Sequence, residues 1–409
     1  MRRRAWVLGF AVSAGAAVLV SAGGCSTTSK STSTPTDVPT ATYTFTETPT
    51  YSVTRTHTRT ETNTYTISNT HTATRTSTPS GSPTNTRTDT QTGTPTCPPG
   101  TCSPTNTPSG PNNLAVLGGF CSSVVHVAPI TGPGTLGAWT TQPAYPISFG
   151  EEGFVAVGNC LFSVAGYNCS AAVSSCYAST ASGGTLSAWT TVTAYPVAAF
   201  TNHMVEDAGF VFSFSGYGSS ANAVYRAMAS GCSLSAWTSL TALPVARDFS
   251  AFVKAQGYVY YLGGDPTGGF QPSVACYYAT ISSGTIGAWT TTTALPSPGR
   301  FGHELVTDGS YVYVIGGGNN TSPTSTIYAA QILGGGALGS WATTTALPAV
   351  RWFLGATVVN GYLYVTAGGD AAGATSTVFS ATIGGGVVGS FTTLAPMPIA
   401  REDHRMVAF

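Results

Sequence analysis

The chain has 409 residues, enough for two or three ordinary domains at roughly 150 residues each. Only 7% of them are charged, and 15 basic side chains balance 15 acidic ones. That excludes a basic nucleic-acid scaffold, whose grip on phosphate needs clustered Lys and Arg, so nucleic acid is not an expected partner. Lys30 and Lys254 are the only lysines, which leaves neither Schiff-base nor P-loop chemistry. With 49 Gly and 25 Pro, turns are expected rather than long helices.

Residues 1–24 open with Arg2, Arg3 and Arg4, followed by apolar and small residues from Ala5 to Gly24. A positive head before a short apolar run predicts an export signal. The run ends Ala22-Gly23-Gly24-Cys25, which resembles the lipobox of bacterial lipoproteins, with Ala22 where that family more often has Leu. The resemblance implies cleavage before Cys25, lipidation of its thiol and, with Ser26 following, delivery to the outer membrane or cell surface. The membrane is then a partner through several acyl chains, each buried CH₂ contributing about 0.8 kcal/mol. An uncleaved anchor or an ordinary signal cut near Ala22 are the alternatives.

Residues 25–112 are low in complexity: every even-numbered position from Thr40 to Thr96 is Thr or Ser. A strand of period two needs one apolar face, and here hydroxyls alternate with a polar mixture. Little burial is available to offset the ordering entropy, so the tract is expected to be an extended, mostly disordered stalk, open to O-glycosylation. About 87 residues reach at most ~290 Å. His57 and His71 are spacers in this repeat.

Residues 113–409 repeat. An aromatic follows a small-residue lead-in at Trp139, Trp189, Trp237, Trp289, Trp341 and Phe391, with spacings of 50, 48, 52, 52 and 50. Each leads to a proline, from Pro146 to Pro398. Between aromatics there is room for four short strands. The run from Tyr311 to Ile315 is apolar on both alternating faces, which suits a strand buried on both sides. It closes on Gly316-Gly317, a doublet that recurs at Gly118-Gly119, Gly263-Gly264 and Gly368-Gly369, with single glycines at Gly166 and Gly216.

A period near 50, an Arg and His before the first strand, a glycine-ended second strand, a Tyr in the third and a Trp in the fourth together resemble the kelch repeat. The resemblance covers 113–409. It implies an all-β, six-bladed propeller with four-stranded blades. The region starts with a glycine-ended strand and ends with an orphan inner strand, Arg401 to Phe409, so the C-terminal strand should complete the first blade and leave no open edge.

Setting Cys25 aside leaves eight cysteines, an even number in an exported chain, and stapling disulfides are expected without an assigned pairing. Cys97 and Cys102 could close a small loop. No CxxC is present, no metal site is read from the sequence, and no cofactor is implied.

By the kelch resemblance, ligands bind at the mouth of the central channel, where the residues leading into the inner strands meet the loops after the glycines. The candidates are Arg247, Arg300, Arg351 and Arg401, with Trp352, His303, His404 and Glu152. His203 is grouped with the two later histidines, and Asp248, Glu402, Asp403, Asp265, Asn319, Asn320 and Asp370 lie nearby in the repeat. In one reading four guanidiniums clamp an anion and Trp352 stacks on a sugar. In the other, Arg and His belong to the repeat consensus and satisfy backbone carbonyls within it. No G-x-S-x-G elbow surrounds a serine, and no nucleophile–base pair is evident. The expectation is a tethered, non-enzymatic module that binds a glycan or protein. The alternative is a surface enzyme acting on an acidic sugar, by resemblance to the kelch-type sialate epimerase.

Overall fold

The computed structural model describes residues 50–56, 64–70 and 111–409, except 120, 215, 218–220 and 320–321. The signal segment, Cys25, the Cys97/Cys102 loop and the rest of the stalk lie outside the described residues. Two units are distinguished, Met1–Thr105 and Asn106–Phe409. Within the first, Thr50–Thr56 and Thr64–Thr70 form an antiparallel ladder. The stalk is thus not irregular throughout. The register sets Thr54 opposite Thr66 and Val53 opposite Ile67. A lone two-stranded ladder is marginal.

The second unit is a ring of six antiparallel sheets. From the axis outward, blade two runs Gly153–Val157, Cys160–Tyr167 and Ala172–Ser182. Blade three runs His203–Asp207, Phe210–Phe214 and Val224–Ser230; blade four, Ala251–Ala255, Tyr258–Leu262 and Cys276–Ser282. Blade five runs Glu304–Thr307, Tyr311–Ile315 and Ile327–Gln331; blade six, Gly355–Val359, Tyr362–Thr366 and Val378–Gly384. Blade one takes its inner strand, His404–Ala408, from the C-terminus and continues with Asn113–Gly118 and Val125–Gly132. Leu114 pairs with Ala408 and Gly118 with His404, so the expected closure is present.

The outer strand departs from expectation. In blade two it is two fragments, Thr185–Leu186 and Thr190–Val192, pairing with opposite ends of the third strand. The repeat aromatic sits in the gap, outside any strand. That position frees the indole to cross to the preceding blade: Trp189 Nε1 donates to Pro143 O at 3.1 Å, Trp237 to Thr193 O at 3.2 Å and Trp341 to Thr293 O at 3.1 Å. The Thr-rich run after each aromatic latches forward. Gln142 Oε1, Thr292 Oγ1 and Thr344 Oγ1 accept the backbone N–H of Leu186, Leu338 and Val388 in the following blade.

Between neighbouring blades lie separate apolar cores. Blades three and four share Phe214, Phe252 and Tyr261, whose rings stack at centroid distances of 4.4 and 4.7 Å. Blades five and six share Tyr313, Ile315, Leu354, Leu363 and Phe379. Each such side chain, once fully buried, contributes about 1.5–3 kcal/mol. This double-faced burial explains the unbroken apolar second strands.

The doublet after the second strand is a pair of left-handed residues. Gly316 and Gly317 have φ of 60° and 91°. In blade six the pair is Ala367-Gly368, at 49° and 87°, so the doublet there is displaced by one residue from Gly368-Gly369. A Cβ on Gly316 would lie 2.6 Å from Arg351 O, and one on Gly317 would lie 2.7 Å from His303 Cβ. The first glycine therefore makes room for the next blade and the second for its own inner strand.

Candidate site at the mouth of the central channel

Three consecutive residues of each blade approach the axis, and they stack as three rings. The outermost ring is Glu151, Thr201, Phe249, Gly302, Phe353 and Asp403, all left-handed with φ between 51° and 59°. Non-glycine residues adopt that conformation at a cost, which surrounding contacts must offset. Here a chain of backbone bonds does so: Glu151 N to Asp403 O at 3.2 Å, Asp403 N to Phe353 O at 3.1 Å, Phe353 N to Gly302 O at 2.7 Å and Gly302 N to Phe249 O at 2.9 Å.

The second ring, Glu152, Asn202, Ser250, His303, Leu354 and His404, is wedged between blades and buried. Burial pushes the Glu152 carboxyl up to about 7, with Arg405 and Arg401 opposing. It holds His303 and His404 down to about 3, so both rings are neutral at physiological pH. His404 Nε2 lies 2.9 Å from Thr366 Oγ1. Neither Glu152 oxygen and neither His303 nitrogen has a hydrogen-bond partner of good geometry.

The third ring is Gly153, His203, Ala251, Glu304, Gly355 and Arg405; each pairs with its second strand and opens the inner strand, except that in blade one the inner strand opens a residue earlier, at His404. His203 therefore lies one layer deeper than His303 and His404, and Asn202 is their counterpart in blade three. Arg405 spans the channel: its Nε donates to Glu152 O at 2.9 Å, Nη1 to Glu304 Oε1 at 3.2 Å and Nη2 to Asn202 O at 3.3 Å. This partition separates a chamber of about 20 Å³ at the mouth from a cavity of about 240 Å³ deeper in the channel. Glu151, Asp403, Glu304, His303 and Arg405 line the chamber, with Phe249 and Phe353 beside them. Burial raises Glu151 to about 7, with Asp248 and Glu152 adding to it, and raises Asp403 well above the ordinary carboxylate range, with Glu151 and Glu402 adding to it. The two carboxyls thus hold protons as a pair.

The four candidate arginines are turned away from the axis. They are 3–4% exposed and bond within their own blades. Arg247 Nη1 donates to Gly263 O and Ala275 O, both at 2.9 Å, and its guanidinium lies over Tyr261 and Tyr277. Arg401 Nη1 donates to Gly118 O at 2.7 Å and Val124 O at 3.1 Å, while Nη2 bonds His126 Nδ1 at 2.9 Å. Arg300 donates to Gly299 O at 2.7 Å and Tyr328 Oη at 3.1 Å. Arg351 donates to Val350 O at 2.6 Å and Thr377 Oγ1 at 2.7 Å, with Asp370 3.6 Å away. Arg247 and Arg401 thus serve carbonyls where second strands end and third strands begin, whereas Arg300 and Arg351 each serve the carbonyl just before themselves and a third-strand-side hydroxyl.

What faces the mouth is aromatic and acidic. Phe249 stacks on Phe270 at 5.8 Å and meets Phe353 edge-on at 5.0 Å. Phe301 lies 5.6 Å from Phe270 and 6.2 Å from Trp352, which lies 5.7 Å from Phe353. Phe270 is 48% exposed. Its loop is held by Asp265, whose Oδ1 accepts from Thr267 N at 2.9 Å and Gly268 N at 3.1 Å. Glu402 accepts a hydrogen bond from the Trp352 side chain. Trp352, a predicted site residue, is on this surface; Glu152, His303 and His404 are beneath it. Asn320 lies outside the described residues. Sequence reasoning missed Arg405 and Glu151, which no repeat period marks.

Two disulfides lie on one side of the ring. Cys121–Cys169 joins blades one and two, and Cys160–Cys232 joins blades two and three. Cys176 and Cys276 are free and buried, and burial pushes both thiols up to about 12. Among the described residues no group of three His, Cys, Asp or Glu side chains is arranged to hold a metal ion.

No protein-family model matches the chain, and no curated protein matches it. Among solved structures, that of YjhT is similar, with a TM-score of 0.57 at 13% identity, covering 69% of this chain and 95% of that one. At that identity the likeness is one of fold, and it agrees with a six-bladed propeller.

Proposed function

We propose that this six-bladed propeller is a kelch-type recognition module, lipid-anchored through Cys25 at the outer membrane or cell surface, that binds a glycan at its channel mouth. The observation that carries this reading is the pairing of a half-buried aromatic surface, Phe249, Trp352 and Phe353 beside the exposed Phe270, with carboxyl groups at Glu402, Asp403 and Glu151. Flat aromatic rings take the apolar face of a sugar ring, and carboxylates accept from its hydroxyls. The turning of all four candidate arginines into the blades argues against an anionic ligand there. Two disulfides support an oxidising compartment outside the cytosol.

The test is a glycan screen with the full-length protein, read by thermal shift, alongside capture of partners from whole cells. Binding to a saccharide without turnover is expected, and Trp352→Ala should abolish it. Capture of a protein with no saccharide binding would move the module to protein recognition. The second reading, a surface enzyme acting on an acidic sugar, is favoured by one observation, that Glu151 and Asp403 line one chamber with both carboxyls raised by burial, the character of groups that exchange protons near neutral pH. Anomer interconversion followed by NMR, lost in Glu151→Gln or His303→Ala, would establish it and overturn the non-enzymatic reading.

A further inference from the structure

We propose that the mouth selects a saccharide carrying a free primary amine, whose ammonium group occupies the axial chamber while the sugar ring lies on the aromatic rim. This rests on the recognition reading above and specifies its ligand.

The first argument is size. A chamber of about 20 Å³ admits one water-sized group. A sugar hydroxyl, a water and an –NH₃⁺ are of that size, whereas an acetamide is several times larger.

Charge then separates the groups that fit. The chamber lining presents Glu151, Asp403 and Glu304 against one cation, Arg405; behind it lie Glu152, Asp248 and Glu402, together with Arg401 and Arg300. Arg405 is already spent on Glu304 Oε1, Glu152 O and Asn202 O. The neighbouring His203, His303 and His404 are held neutral by burial. Their rings therefore offer acceptor lone pairs rather than positive charge.

Hydrogen-bonding capacity gives an independent reason. An ammonium brings three donors and no acceptor. The chamber walls hold acceptors without partners: Glu151 Oε2, and the ring of His303, which is 3% exposed. A neutral hydroxyl would satisfy fewer of them. The rim completes the seat, because Phe249 and Phe353 line the chamber and continue onto Phe270 and Trp352. With the rings so close to the chamber, an amine carried directly on a sugar ring fits better than one on the flexible stem of a lysine. Aromatic faces also attract the cation itself.

Binding a cation favours ionised Glu151 and Asp403, which hold protons in the free protein near neutral pH. Affinity should therefore fall as pH drops from 8 to 6, and fall again at alkaline pH as the amine loses its proton. Calorimetric titration of the full-length protein with glucosamine oligomers, their N-acetylated counterparts and a lysine-containing peptide decides the matter. The expected result is binding of the amino oligomer with proton release at pH 7, at least tenfold weaker after N-acetylation and at least tenfold weaker in Asp403→Asn. The N-acetyl comparison needs no variant and stands even if Asp403→Asn misfolds. Equal affinity for the acetylated oligomer overturns the amine selectivity while leaving glycan recognition intact. Stronger binding of the lysine peptide, or no binding of any saccharide, overturns the inference outright; the second result also removes the glycan from the recognition reading.

Discussion

Blades four, five and six hold their approach to the axis with a buried arginine; blades two and three do so without one. Where Arg247, Arg300 and Arg351 stand, blade two has Phe149 and blade three Ala199. The two disulfides both reach blade two, and one of them reaches blade three. Blade one has both devices, Arg401 and Cys121. The same backbone geometry is thus secured in two ways. In one half, a guanidinium ties the approach to the second or third strand of its own blade. In the other, a covalent bond ties one blade to the next. The first acts within a blade and the second between blades, so the halves should fail differently.

The largest effect is expected in the arginine half. Arg247→Met keeps the apolar stem but leaves Gly263 O buried without a donor at ~1–3 kcal/mol, leaves Ala275 O with the Gly263 N–H alone, and removes the cation from over Tyr261 and Tyr277 at ~1 kcal/mol each, for a loss of about 4 kcal/mol in denaturant unfolding. A loss under 1 kcal/mol would mean that the guanidinium does not secure its blade. Next, Cys160→Ser with Cys232→Ser should cost about 3 kcal/mol, and a reductant should cost the wild type more than the double variant, which retains Cys121–Cys169 for it to break. Cys176→Ala should respond to reductant as the wild type does, since that thiol is free.

A third test uses pH. Glu152 is raised to about 7 by burial, so the folded state binds its proton more tightly than the unfolded chain. Its contribution to stability is therefore fully present below about pH 4.5 and is lost as pH rises toward 7. Glu152→Gln should stabilise by about 2 kcal/mol at pH 8, with the gain vanishing near pH 4.5. A gain independent of pH would break the argument. The neutral histidines act oppositely, since His303, lowered to about 3, destabilises the fold as pH falls below 6.5. The smallest effect concerns the latch between blades: Trp237→Phe removes one hydrogen bond to Thr193 O, worth about 1 kcal/mol by thermal unfolding.

The six-fold plan was legible because burial on both faces forces the same residue classes at the same places in every repeat. The aromatics, the apolar second strands and the glycine doublets all answer to packing against a neighbour. The channel residues answer to no neighbour of their own kind. Glu151, Thr201, Phe249, Gly302, Phe353 and Asp403 share a left-handed backbone and nothing else, so no side-chain period reveals them. The misplacement of His203 by one layer has the same origin. Adjacent positions before an inner strand differ in which layer they occupy, and only strand register fixes that. The arginines were visible, but a sequence does not tell whether a guanidinium faces the axis or its own blade. For Arg247 and Arg401, carbonyls where two strands diverge decide that; for Arg300 and Arg351, the hydroxyls of Tyr328 and Thr377 do.

The closing ladder between Leu114 and Ala408 also has a kinetic meaning. It joins segments separated by nearly the whole ring, so its formation bears a loop-closure cost that local hairpins do not. Blades two to six are contiguous in sequence and can each form from local pairings. Until the last strand arrives, Asn113–Gly118 presents an unpaired edge toward the axis, and neither Arg405 nor Asp403 is in the channel. The partition and the acidic chamber therefore come into existence only with the final strand, and the mouth is assembled last.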